Sequence, residues 1–200
     1  EIKPFTPEPL LTVTKRPSCS PGAGSIRLRS PNGGGLVTLT MTAAPPEFQG
    51  TLPLDLTSSL QAGLYFNGNL PAGPYSFTAT DACGSALSLT DYVVDGYDSG
   101  TNNFSVERNC GTFNLHLADT SNITGTYWFQ KKNPVTGLYE HPDTGVAYPE
   151  GTAPNTTNSI QLTNNSVRLN ITNIGTFRIL KVYQSFDSSG NTICFDPYPR

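Results

Sequence analysis

Four cysteines, Cys19, Cys83, Cys110 and Cys194, are the residues whose type and spacing most directly imply chemistry. None forms a C-x-x-C pair, so neither a redox dithiol motif nor a zinc ribbon is written into the chain. Four cysteines admit three pairings. The favoured one closes Cys19 to Cys83 and Cys110 to Cys194, because each bond then stays inside one of two sequence repeats. Closing such loops removes unfolded-state entropy equivalent to roughly 4–5 kcal/mol each in the ideal chain model. Disulfides imply an oxidising, extracytoplasmic compartment. A metal site would need clustered ligands, and His116 and His141 stand at no spacing that joins them to two cysteines.

Three further constellations carry a chemical reading beside a plainer one. Asp91, Asp95 and Asp98 can supply oxygen ligands for calcium between two modules, although no EF-hand loop is present and acidic residues are ordinary in a solvated linker. Trp128 lies in Tyr127-Trp128-Phe129, where strand geometry points it opposite to its two neighbours. It reads either as a core residue packed on a disulfide or as a ring for stacking on a sugar, with Tyr139 and Tyr148 beside it. Catalysis is not expected: there is no G-x-S-x-G elbow, no H-E-x-x-H and no P-loop. Glu47, Glu107, Glu140 and Glu150 offer carboxylates, but nothing in their spacing selects a pair for glycoside cleavage.

The elements that must position these residues are strands. Leu11-Thr12-Val13-Thr14, Ser25–Arg29, Val37–Met41, Tyr75–Ala79 and Ala86–Leu89 alternate apolar and polar residues at period two. Turn signals separate them, among them Pro31–Gly35, Asn67-Gly68-Asn69 and Asp81–Gly84. The second half repeats the pattern, with strands expected over Asn103–Glu107, Thr112–Ala118, Thr126–Lys131, Leu138–His141, Ser159–Leu162, Val167–Ile171, Thr176–Phe186 and Thr192–Phe195. The stretch Pro142–Asn158 reads as an exposed excursion. A strand, a cysteine and a second strand open each half, and a glycine, an aromatic strand and a cysteine close it. The fold class expected is therefore all-β: two tandem immunoglobulin-like antiparallel β-sandwich domains, residues 1–97 and 98–200, joined by a short polar linker.

Composition narrows the function. Lys and Arg cluster only as Lys15-Arg16 and Lys131-Lys132 and the net charge is −3, so nucleic acid is not an expected partner. No apolar run is long enough to span a membrane, and no cofactor motif appears. The first residues carry no signal peptide, and the chain reads as a mature excerpt of something longer.

Cys19, Gly24-Ser25-Ile26-Arg27-Leu28, Gly33-Gly34 and the run from Leu70-Pro71-Ala72-Gly73-Pro74-Tyr75 to Asp81-Ala82-Cys83-Gly84 resemble the SprB-type repeats of Bacteroidetes surface proteins. The second half matches in outline, with Gly175-Thr176-Phe177 in the closing position. The resemblance implies a large cell-surface protein exported by type IX secretion, of the kind that includes gliding-motility adhesins. It offers no catalytic residues. The expectation is a non-catalytic internal segment of an extracellular adhesin or filament, with disulfide-closed spacer modules and neighbouring modules of the same chain as partners. The alternative is a carbohydrate-binding accessory module of a secreted glycan-active protein, with a surface polysaccharide as partner.

Overall fold

The computed structural model describes residues 10–98, 100, 103–172 and 174–198. The protein is all-β, with several antiparallel sheets and no α-helix among the described residues. Packing divides the chain into two compact units. The first is Glu1–Tyr97 with Ser185–Thr192, and the second is Asp98–Gln184 with Ile193–Arg200. Each unit is thus drawn from two segments of the chain.

In the first unit, strands β1 (Thr12–Pro17), β2 (Ala23–Arg29) and β5 (Tyr65–Pro71) form one sheet in the order β1-β2-β5. Strands β3 (Leu36–Ala43), β4 (Leu54–Asp55), β6 (Gly73–Asp81) and β7 (Ala86–Val94) form another, in the order β4-β3-β6-β7. Alternation decides which side chains go inward. Ile26 and Leu28 of β2, Leu39 and Met41 of β3, and Tyr75 and Phe77 of β6 share one buried cluster with Tyr65, Leu70 and Val94. Burying a side chain of this size contributes roughly 1.5–3 kcal/mol, so this shared interior is the main driving force for bringing the two sheets together.

The sequence places a turn at Asn67-Gly68-Asn69, but β5 runs straight through it. Pairing with β2 overrides local turn preference, and a register shift between Gly24 and Ile26 absorbs the irregularity. Gly68 is needed for a different reason. A Cβ there would lie 2.3 Å from the carbonyl oxygen of Phe186, which belongs to the short segment completing this unit. Phe186 is 1% exposed and sits against the Phe66 ring, centroids 5.7 Å apart, with the Arg16 guanidinium 4.3 Å from its centroid. Arg16 also donates to the Ser185 carbonyl (3.2 Å) and to Asn191 Oδ1 (2.8 Å), while the Phe186 N–H donates to Ser25 Oγ (3.3 Å). Gly68→Ala is therefore expected to cost about 1–3 kcal/mol, because overpacking here must displace backbone rather than a flexible side chain. Urea melts of the full chain check this; an unchanged midpoint would show that the Phe186 seat contributes little.

In the second unit, β8 (Phe104–Arg108), β9 (Phe113–Leu117) and β13 (Ser166–Ile171) form a sheet in the order β13-β9-β8. Strands β10 (Thr126–Lys132), β11 (Tyr139–Glu140), β14 (Phe177–Asp187) and β15 (Gly190–Tyr198) follow the order β11-β10-β14-β15, and β12 (Ile160–Leu162) also pairs with β10. Leu115, Leu117, Tyr127, Phe129, Ile171 and Ile179 make the core. A smaller cluster of Trp128, Tyr148 and Leu180 lies on the opposite face of β10.

Candidate functional site

The disulfide joins Cys19 to Cys194, and Cys83 and Cys110 are free, exposed thiols. This corrects the within-repeat pairing. Strand direction explains why. The β1–β2 turn that holds Cys19 lies at the end of the first unit where Ala23 pairs with Pro71, beside the start of β6. Cys83 follows the other end of β6, in the tight turn into β7. Nine residues of β6, at about 3.3 Å each, put roughly 30 Å between the two ends. A disulfide tolerates less than about 7 Å between Cα atoms. In the second unit Cys110 stands exposed in the β8–β9 turn, whereas Cys194 is buried within β15.

The three candidate sugar-stacking rings come together, but as packing. Trp128 is 9% exposed, and its indole N–H donates to Thr126 Oγ1 at 3.0 Å. Tyr148 is 2% exposed and donates to the Thr152 carbonyl at 2.6 Å. The guanidinium of Arg178 lies over the Tyr139 ring, 3.5 Å from its centroid and 5.4 Å from that of Tyr148. Arg178 also donates to Gln130 Oε1 (2.7 Å) and Glu150 Oε1 (2.6 Å). A cation stacked on one ring while bonded to an amide and a carboxylate holds the 142–158 stretch onto the sheet. That stretch is exposed over most of its length, as expected, and it also delivers Tyr148 to the sheet. Tyr127 and Phe129 point the other way into the main core, as strand geometry requires.

Two of the three aspartates proposed for calcium have their own partners: Asp95 pairs with Lys15 at 2.5 Å, and Asp98 Oδ1 accepts from the Gly100 N–H at 2.9 Å. Asp91 sits at a backbone φ of 50°, with its N–H donating to Ser76 Oγ at 3.0 Å. Among the described residues no three or more His, Cys, Asp or Glu side chains gather as a metal site. His116 Nε2 lies 3.5 Å from Glu107 Oε2 at the surface, and His141 Nδ1 accepts from the N–H groups of Asp143 and Thr144, so it serves a turn.

The most tightly held polar group is one that motif reading passed over. Lys181 on β14 has no solvent-exposed side-chain surface, and that of Asp119 is 1% exposed. The ammonium donates to Asp119 Oδ2 (2.6 Å), to the Ile123 carbonyl (2.6 Å) and to Ser121 Oγ, which satisfies all three of its protons. Tyr127 O–H donates to the same carboxylate oxygen at 2.5 Å, and the Ser121 N–H and hydroxyl donate to Asp119 at 3.0 and 2.9 Å. Burial alone would push the Asp119 carboxyl up. The donors from Lys181, Tyr127 and Ser121 outweigh that and hold it below the ordinary aspartate range. Burial, and then the carboxylate beside it, push the Tyr127 hydroxyl well above its usual value. Period two carried the signal: Ile179, Lys181 and Tyr183 share the inward parity of β14, and a lysine there must bring its own acceptors.

No protein family, curated protein or solved structure matches this chain. The geometry gives a closed lysine–aspartate network, a long-range disulfide and rings that are packed or covered. Each of these groups has its partners within the fold.

Proposed function

We propose that this chain is a non-catalytic internal segment of a large extracellular surface adhesin or filament protein, with immunoglobulin-like sandwiches serving as stiff spacers. The reading includes export by type IX secretion and a place in attachment or gliding, which rest on the resemblance to SprB-type repeats. One feature supports the modular part. Both units have a similar strand arrangement: first, second and a later strand in one sheet, β1-β2-β5 and β13-β9-β8, and most others in β4-β3-β6-β7 and β11-β10-β14-β15, with β12 an added partner of β10. This distribution supports the immunoglobulin-like reading, with an added edge strand on the second sheet.

The observation that carries the mechanical part is the Cys19–Cys194 bond. Tension applied at the two ends passes through residues before Cys19, across the sulfur bridge, and out through residues after Cys194. The residues between the cysteines lie outside that covalent path. A segment wired in this way keeps its two attachment points at a fixed, short separation under load even if its sheets open.

Single-molecule extension of the full chain tests this. With the bond intact, unfolding is expected to release no length from the segment between the cysteines. After reduction, the same pull should release a contour of about 600 Å, since about 175 residues extend by roughly 3.3–3.6 Å each. Equal release with and without reductant would overturn the proposal.

A further inference from the structure

A groove of about 790 Å³ runs across the first unit, and its walls come from parts of the chain far apart in sequence. The loop around the short 3-10 turn Thr57–Ser59 forms one side, the outer edge of β5 the floor, and the Phe186–Ser188 segment the other side. β5 pairs with β2 alone among the described strands, so its other backbone edge is left to this groove. The Gln61 side-chain amide donates to the Ser188 carbonyl and ties the two sides together.

The lining mixes apolar surface with many hydroxyl and amide groups and is almost uncharged. It contains no lysine or arginine, and Asp187 is its single carboxylate. That carboxylate is already engaged by the Ser189 N–H and hydroxyl, both at 2.7 Å, which help hold it below the ordinary aspartate range. The hydroxyls of Ser20, Ser58 and Ser59 and the Nδ2 of Asn69 make no hydrogen bond to the described residues. Asn67 is fixed in place, donating to Tyr65 Oη (3.1 Å) and accepting from the Asn69 N–H (3.0 Å). Half-buried Phe66 adds an apolar wall.

We infer that this groove binds a neutral oligosaccharide. Hydroxyls and amides both donate and accept, as sugar hydroxyls do, so such a ligand can replace the displaced water bond for bond. A phosphate or acidic sugar would meet no cation to balance its charge. An apolar ligand would strand the serines and Asn69 without partners, at a cost of about 1–3 kcal/mol for each group left unpaired. The volume falls within the range of small-ligand sites, and a sugar ring can rest on Phe66. The site lies in the first unit and uses none of Trp128, Tyr139 or Tyr148. It is independent of the spacer reading, whose extension lengths do not change with sugar binding.

The test is calorimetric titration of the full chain with four neutral hexasaccharides: β-1,4-linked glucose, β-1,3-linked glucose, α-1,4-linked glucose and β-1,4-linked mannose. An oligogalacturonate serves as anionic comparator. At least one neutral sugar is expected to bind at millimolar concentration or below, with backbone amide shifts confined to the Ser18–Ser20, Leu56–Asn69 and Phe186–Thr192 regions. Asn69→Ala should weaken binding about tenfold, the effect of one lost hydrogen bond. Ser59→Trp, which fills the groove from an exposed position, should abolish it without moving the thermal midpoint. No binding by any of the four, shifts located in the second unit, tighter binding of the oligogalacturonate, or unaltered binding by the Ser59→Trp protein would each overturn the inference.

Discussion

Replacing Lys181 with alanine is expected to destabilise the second unit by about 3–5 kcal/mol at neutral pH, the usual cost of breaking a buried pair by removing one partner. The loss is large because the substitution strands more than one group. Asp119 keeps its charge in a place water does not reach, and the Ile123 carbonyl loses the donor that satisfied it. Exchanging both members, Lys181→Met with Asp119→Leu, should recover only part of the loss. Tyr127 O–H and Ser121 would then have no carboxylate to meet. Denaturant melts of the two single variants and the double variant give the coupling energy; additive losses would show that the pair does not act as a unit.

The same network sets an acid limb to stability. The Asp119 carboxyl is depressed in the folded protein, so its contribution is fully present above the unfolded aspartate value of about 3.9. It is lost as pH falls through the lower, folded value. The share of wild-type stability that this carboxyl supplies should therefore be constant above about pH 5 and be lost progressively below about pH 4. Melts across that interval check the sign.

Cys19→Ser is expected to have the other large effect, a loss of about 5 kcal/mol in the chain-entropy model for a loop of about 175 residues. Cys194→Ser should match it, and the double variant should be no worse than either single one. Cys83→Ser and Cys110→Ser should leave the midpoint within about 0.5 kcal/mol, as exposed substitutions do. Peptide mapping of the native protein should return one bridge and two alkylatable thiols. A Cys19–Cys83 peptide would refute the connectivity and, with it, the load path.

How much of this was legible in the residues follows from the range of each determining interaction. Alternation over five or six positions is local, so β2, β3, β6, β9, β10 and β14 could be placed from it, and so could the opposite facing of Trp128 and its neighbours. β5 could not, because Asn67-Gly68-Asn69 carries turn residues whose conformation is decided by β2 and by the Phe186 backbone. The cysteine pairing failed on the same ground: the repeat boundaries suggested Cys83, while the direction of β6 carries it to the far end of the sheet. The delivery of Tyr148 to the sheet by the 142–158 stretch was hidden by its Pro- and Gly-rich composition, since one tyrosine and one stacked arginine outweigh it. Lys181 was readable from parity alone. Its acceptors, supplied by a loop some 60 residues earlier, were not.

The seat of Phe186 has a consequence for how the protein is made. A chain that emerges with its amino terminus first has displayed every strand from β1 to β7 once Tyr97 is out, yet it still lacks the piece that fills the gap beside Arg16 and Phe66. That piece arrives nearly ninety residues later. Until then a raw apolar surface stays open to chaperones, to proteases and to the same surface on other nascent chains. The earliest-made part of the molecule is thus among the last to be finished, and its assembly is timed by the slow, long-range contact rather than by its own turns.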